Sequence, residues 1–249
     1  MPYLWAASFK GNVTVKGVTS TADVPFTDIL KGLDYAAIGQ VELQKGRFFI
    51  IPDTVLLKLS ESVSVDGSRL GRFGLVNVKG KVSASADVFQ YFQELVGGYR
   101  VYERCLSQDG CAPRSFAFDL LGGMRYYYIS SSVTATTKVT VDRPGGPVTR
   151  ERSGTLSGSE NWIDPIIGAR MKYDATDRLE LSLRGDVGGF GVGSDLAWSA
   201  TALGKYKVSD CWSLFGGYRV LDIDYSNGDT GLNATMAGPV IGAQYKISF

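Results

Sequence analysis

Apolar and polar positions alternate with a period of two over most of this chain, and the alternating runs are separated by turn residues. The stretch 231–249 is the clearest. Ala237, Pro239, Ile241, Ala243, Tyr245, Ile247 and Phe249 share one face, and Gly238, Val240, Gly242, Gln244, Lys246 and Ser248 share the other. Residues 179–189 set Leu179, Leu181, Leu183 and Val187 against Glu180, Ser182, Arg184 and Asp186. Residues 116–128 set Phe116, Phe118, Leu120, Met124, Tyr126 and Tyr128 against Asp119, Leu121, Arg125 and Tyr127. The stretches 35–43, 89–101, 163–173, 196–207 and 212–220 follow the same rule.

This pattern predicts about ten strands, with roughly eight to twelve fitting it. They run over 2–17, 33–44, 47–65, 72–103, 114–142, 148–174, 178–190, 194–207, 211–226 and 231–249. Connections at 45–47, 174–178 and 208–211 are tight, and 104–113 is a longer member of the same side. Those at 18–32, 66–71, 143–147 and 227–230 carry Gly, Pro, Asp and Ser, or join strands longer than a bilayer requires. Tight turns at one end and longer excursions at the other are the habit of an up-and-down barrel. Within 18–32 a short amphipathic helix is expected. Asp23 or Thr27 would cap it, Ile29 and Leu30 would form its apolar side, and it would stop near Gly32 over the barrel mouth.

The polar face indicates what kind of barrel this is. Glu42, Asp53, Glu94, Arg100, Asp119, Arg125, Arg170, Glu180, Arg184, Asp186, Arg219 and Lys246 fall on it, with both signs interleaved. The other face is rich in Leu, Ala, Gly, Tyr and Trp. Its aromatics gather near strand ends, at Tyr3, Trp5, Tyr173, Tyr206, Trp212, Tyr245 and Phe249. In hydrocarbon every backbone N–H and C=O must be paired within the protein, and a closed sheet is the β solution. The expected fold is all-β: one transmembrane antiparallel up-and-down β-barrel over residues 1–249, with charges in the lumen and apolar residues toward lipid. A soluble sandwich, or a lipocalin-like barrel carrying a ligand, is the competing fold, because amphipathic sheets occur there too.

Composition supports strands and narrows the chemistry. There are 31 Gly, 13 Tyr and 12 Phe but 8 Pro, a balance suited to strands, turns and interfacial girdles. A net charge of +1 gives no footing for nucleic acid. No run of 18 apolar residues is present, so no membrane helix is expected, and the chain opens without a leader pattern. For an exported protein, Met1 then stands as a start residue ahead of a mature sequence. Histidine is absent, which removes the commonest general base and metal ligand together. No cofactor and no metal site are expected. Cys105 and Cys111 flank a polar loop, and a disulfide between them competes with two free thiols; Cys211 is left over.

The segment GPVIGAQYKISF resembles the terminal strand of Gram-negative outer-membrane proteins, where alternating apolar residues end in Phe. In that class this strand is the signal read by the barrel-assembly machinery, and the resemblance would give Tyr245, Ile247 and Phe249 that role. The stretches PYLWAASFKGNV, DLLGGMRYYY and WSLFGGYRVLDIDY are similar to an uncharacterised family of Gram-negative outer-membrane β-barrel proteins. The resemblance implies a location and a fold, with outer-membrane lipid and the assembly machinery as partners. It implies no activity.

Several small outer-membrane barrels are enzymes. The ten-stranded omptin proteases are similar in strand number, but they use an Asp–His pair, and the barrel palmitoyl transferases, deacylases and phospholipase also need a His. No enzyme is therefore expected. Asp222 and Asp224 sit two residues apart near an outer rim, where acid–base work or calcium binding competes with a solvated strand end. The Gly-rich run 185–194 lacks the Lys-Ser/Thr and helix of a phosphate loop and reads as a hairpin. The lumen charges have two readings. Barrels of about eight strands are filled by side chains, whereas open channels belong to about 16–18. A structural or surface-interacting barrel packed with paired charges is the first expectation, and a narrow channel for small solutes the alternative. With Lys10, Lys172, Lys205 and Lys207 counted in the lumen, a conducting path would favour anions slightly.

Overall fold

A computed structural model describes residues 1–15, 17–70, 77–105, 115–142 and 146–247. Thirteen strands and one short helix follow in order: β1 (Tyr3–Trp5), β2 (Ser8–Val15), β3 (Val18–Val24), α1 (Phe26–Lys31), β4 (Leu33–Gln40), β5 (Leu43–Lys45), β6 (Phe48–Leu70), β7 (Asn77–Cys105), β8 (Ser115–Asp142), β9 (Val148–Asp174), β10 (Leu179–Gly188), β11 (Leu196–Lys207), β12 (Trp212–Asn227) and β13 (Thr230–Tyr245). Every pairing between them is antiparallel and joins neighbours in the up-and-down sense, so the fold is an all-β barrel.

The strand segments reduce to the ten wall positions that the alternation predicts. β1 and β2 both pair with β13 in a single register and form one wall strand. β4 and β5 both pair with β6 and form another. The sheet curls until these two walls meet at a Pro2–Gly39 bridge. There the Gln40 amide donates to Met1 O at 3.0 Å, and the Met1 amino group donates to Gln40 O at 2.7 Å.

The sequence pattern misses one strand. Residues 18–24, expected to lie within a loop, are β3, which turns back and pairs with β2 from Val15–Val18 to Phe9–Val24. The helix follows it, with Pro25 at its N-cap position, no side-chain cap, and Gly32 at its C-cap. Neither Asp23 nor Thr27 caps it, because Pro25 already fixes the extended entry. Above the Pro2–Gly39 bridge no ladder joins β2–β3 to β4 among the described residues. The helix therefore occupies a seam in the wall rather than the barrel mouth.

Side-chain parity places charge inside and apolar area outside. Asp119, Asp164 and Arg125 are 0%, 0% and 1% exposed, whereas Leu120, Met124, Ile163 and Ile167 on the opposite parity are 52%, 50%, 50% and 59% exposed. Tyr99, Tyr102, Tyr173, Tyr206, Trp212 and Tyr245 stand exposed around the lower end of this outer belt. Around the upper end, Phe89 meets Tyr128 and Tyr91 meets Tyr126 edge to face. The step from Phe116 to Tyr126, at about 3.3 Å per residue and tilted about 40°, spans about 25 Å.

Four strands continue far above that belt. β6 loses its β4 partner after Leu59, and β9 gains its β10 partner only at Ile166. Between these limits β6, β7, β8 and β9 form a projecting four-stranded crown. Thr134 and Thr155, and Thr140 and Thr149, share hydroxyl hydrogen bonds of 3.0 Å across it. Lys138 meets Glu151 at 3.5 Å.

Tight coiling of the wall demands glycine at particular inward positions. A Cβ on Gly123 would overlap the Leu95 carbonyl oxygen and lie 2.8 Å from Val96 Cα, both backbone atoms. Gly123→Val is expected to destabilise the barrel by about 1–3 kcal/mol or more. The effect would be read as a lower urea midpoint of the detergent-folded protein. An unchanged midpoint would mean that β7 and β8 have room to separate.

Candidate functional site

The lumen contains two layers of different chemistry. The lower layer is a network of ion pairs built from inward positions of β6 to β12 and from Glu42, between β4 and β5. Arg170 lies at one node. It donates through Nη1 and Nη2 to both Glu42 oxygens at 3.0 Å, and through Nε to Asp119 Oδ2 at 3.0 Å. Arg100 reaches the other Asp119 oxygen at 3.0 Å, and Lys172 reaches Glu42 at 3.3 Å. The guanidinium of Arg170 also covers the Phe49 ring, 4.4 Å from its centroid.

A second node is a square of two acids and two bases. Arg125 donates to Glu94 Oε2 through Nε and Nη2, at 2.9 and 2.5 Å, and to Asp186 Oδ1 at 2.8 Å. Arg184 closes the square on the remaining oxygens, at 2.6 Å to Glu94 and 3.0 Å to Asp186. Ser199 donates to Asp186 at 2.7 Å. Beside the square, Arg219 meets Asp53 at 3.1 Å, Tyr3 donates to the same carboxylate at 2.9 Å, and the Arg219 guanidinium covers the Trp5 ring at 4.9 Å. Each charge named in these nodes meets an opposite charge, the condition under which buried ions persist, whereas the buried Asp164 accepts from the Ser194 amide and its Oδ2 has no partner among the described residues. A small cavity of about 110 Å³ remains below the square, bordered by Glu180, which pairs with Lys205 at 2.7 Å.

Eleven of the twelve charges that sequence alternation assigns to the lumen are engaged in these pairs: Glu42, Asp53, Glu94, Arg100, Asp119, Arg125, Arg170, Glu180, Arg184, Asp186 and Arg219. Lys246 is the exception. It follows the end of β13, past the lower rim, and is exposed. Lys10 is likewise outside the lumen, exposed and 3.5 Å from Asp23. Tyr245 and Ile247 of the expected assembly signal are exposed, while Phe249 lies outside the described residues, as does Cys111 of the expected Cys105 pairing. Asp222 faces outward and accepts a hydrogen bond of 2.5 Å from Thr235. Its neighbour Asp224 is exposed. The 185–194 run is a hairpin, with Gly189, Phe190 and Gly191 at φ of 87°, 53° and 73°.

The upper layer is apolar, and sequence alternation misreads it. Tyr3 and Trp5, expected in the outer girdle, point inward, and Phe9 lies on their parity opposite Met236. Assigning every apolar face to lipid slips strand one by a residue, which reverses all its side chains. The reversal arises because the upper lumen is itself apolar. Val55, Phe92, Tyr127, Trp162, Leu221, Ile223, Tyr225, Leu232, Ala234 and Met236 form one buried cluster there. Trp162 is sandwiched between Tyr127 and Tyr225, at 4.9 and 3.9 Å between ring centroids. Its indole N–H donates to Ser194 at 2.9 Å. The signal was present in Val55, Leu57 and Leu59, an apolar run on the same parity as Asp53.

Above this cluster lies a cavity of about 440 Å³, lined mainly by apolar side chains. Strands β1 to β4, β6 to β9 and β13 contribute to it, and α1 adds Phe26, Ile29 and Leu30.

No family model and no curated protein matches the chain. Among solved structures, the transport unit of the autotransporter AIDA-I from Escherichia coli is similar at 9% identity, over 84% of this chain and 87% of that one, with a TM-score of 0.28. An overlap that loose says nothing about what the chain does.

Proposed function

We propose that this protein is a non-enzymatic barrel of a bacterial outer membrane, sealed across its lumen, whose role is structural or surface-interacting and is carried by the projecting crown. The observation that carries the reading is the inverted polarity of the wall: ion pairs inside, and a girdled apolar belt about 25 Å tall outside. A soluble barrel would leave that belt in water, far beyond the apolar patch that a soluble monomer tolerates. The Arg125–Glu94–Arg184–Asp186 square favours a sealed lumen, because an ion crossing it must displace charges already paired at 2.5–3.0 Å. The absence of histidine supports a non-enzymatic role.

The test uses two measurements on one sample. The purified protein is expected to require detergent, to migrate differently on gels before and after boiling, and to give a flat trace in a planar bilayer. Stable conductance steps would replace the sealed reading with the narrow channel, for which the 110 Å³ cavity below the square is the favouring observation. A protein that stays monomeric and soluble without detergent would exclude the membrane reading.

A further inference from the structure

We propose that the upper cavity takes one acyl chain of a membrane lipid, admitted from the bilayer through the seam between β2–β3 and β4, with the headgroup left outside the wall. The proposal rests on the outer-membrane reading above and adds a ligand to it.

Three observations carry it. The first is the wall. Among the described residues only the Pro2–Gly39 bridge joins strand one to β4, and above it β3 and β4 end the sheet order without pairing to each other. The six-residue helix stands between them. Leu4, which faces outward beside Ile241 and is 45% exposed, also borders the cavity. A residue of the outer belt and residues of the lumen therefore share one continuous space.

The second observation is the lining. Val55, Leu57, Phe92, Ile129, Leu232 and Met236 present methyl, methylene and ring surface. Sites of about 300–1,000 Å³ with mostly apolar walls are the usual form of small-molecule pockets, and 440 Å³ lies in that range. Water there would find few hydrogen-bond partners, and a hydrocarbon chain needs none.

The third observation concerns charge and identifies the occupant. Among the described residues that border the cavity, Glu160 is the one that is charged, and none is Lys or Arg. A free fatty acid would bring its carboxylate toward an uncompensated carboxylate. A lipid tail whose headgroup stays outside meets no such penalty. Bilayer lipid is also at hand along the whole exposed belt, so an entrance through the wall matches a source beside it.

Tryptophan fluorescence can test this directly. The chain has four Trp. Trp198 and Trp212 face outward, at 39% and 51% exposed, while Trp5 and Trp162 border the cavity. In a Trp198→Phe, Trp212→Phe background, only the lumenal pair reports. The protein is folded into vesicles of phosphatidylcholine with either plain or dibrominated acyl chains, bromine quenching indole at near contact.

The brominated vesicles are expected to lower emission about twofold. Ala36→Phe, which fills the cavity from β4, is expected to abolish most of that loss. Ala22→Phe on β3 serves the same purpose should the first variant fail to fold, as judged by heat-dependent gel mobility. Vesicle flotation with equal emission from both lipids would overturn the acyl-chain site and leave the membrane reading standing. Quenching that neither filling variant reduces would overturn it as well. Failure to float with vesicles would overturn both. Brominated free fatty acid quenching more strongly than brominated phospholipid, at equal mole fraction in vesicles, would overturn the lipid source.

Discussion

Replacing Arg125 by methionine is expected to destabilise the barrel by about 3–5 kcal/mol, measured by urea unfolding in detergent micelles. Methionine roughly keeps the volume and removes the charge. Glu94 and Asp186 would then share a single guanidinium, that of Arg184, which already holds one oxygen of each. Both carboxylates are nearly inaccessible, at 3% and 7% exposed, so water can compensate only after the wall loosens. The penalty is that of an uncompensated buried charge, not the net worth of an ion pair, and these differ in sign as often as in size. The companion variant separates them. Arg125→Met with Glu94→Gln restores charge balance in the square and is expected to recover most of the loss. If the single substitution lowers stability by less than about 1 kcal/mol, the square is hydrated in solution, and the sealed lumen fails with it.

Trp162→Ala is expected to lower stability by about 3–5 kcal/mol, the range for removing a large buried aromatic. The indole is 7% exposed and stacked on both faces, with its ring only 3.9 Å from that of Tyr225. Its N–H bond to Ser194 also anchors the β10–β11 hairpin, because the Ser194 amide donates to Asp164 at 2.7 Å. Trp162→Phe keeps one ring of the stack and loses that bond, so about 1–2 kcal/mol of the effect is expected to remain. Equal losses in the two variants would place the effect in the hydrogen bond and not in the stack. A midpoint unchanged by Trp162→Ala would show that Tyr127 and Tyr225 close on each other without it.

The lower lumen was legible in the sequence because its parity is unambiguous. Asp119 and Arg125 alternate with Leu120 and Met124, and a buried charge falls on the face opposite the exposed apolar residues, so each strand reports its own orientation. The upper lumen was not legible for the same reason reversed. Tyr3, Trp5 and Phe9 oppose Leu4, Ser8 and Lys10, and the more apolar face of that strand turns inward to meet Val55 and Met236. Hydropathy along one strand cannot tell lipid from an apolar interior. The pairing of distant strands decides it, and that lies in register rather than in composition. β3 was missed because VTSTADV is short and polar, and it gains strand structure from its pairing with β2. Ion-pair partners such as Arg170 with Glu42, or Arg219 with Asp53, were equally invisible, since curvature alone brings them across the barrel.

The pairing of the first wall strand with β13 also sets a timetable for biogenesis. Ser8 and Ala237 are register partners 229 positions apart, so the ring cannot shut while the chain is still emerging. Until then Asp53 lacks Arg219. Neighbouring hairpins from β6 to β9 need no such wait, because each pairs with the next strand in sequence. Assembly is thus expected to proceed from a preformed crown-bearing sheet toward a single late seam, with loop closure over nearly the whole chain as the slow step.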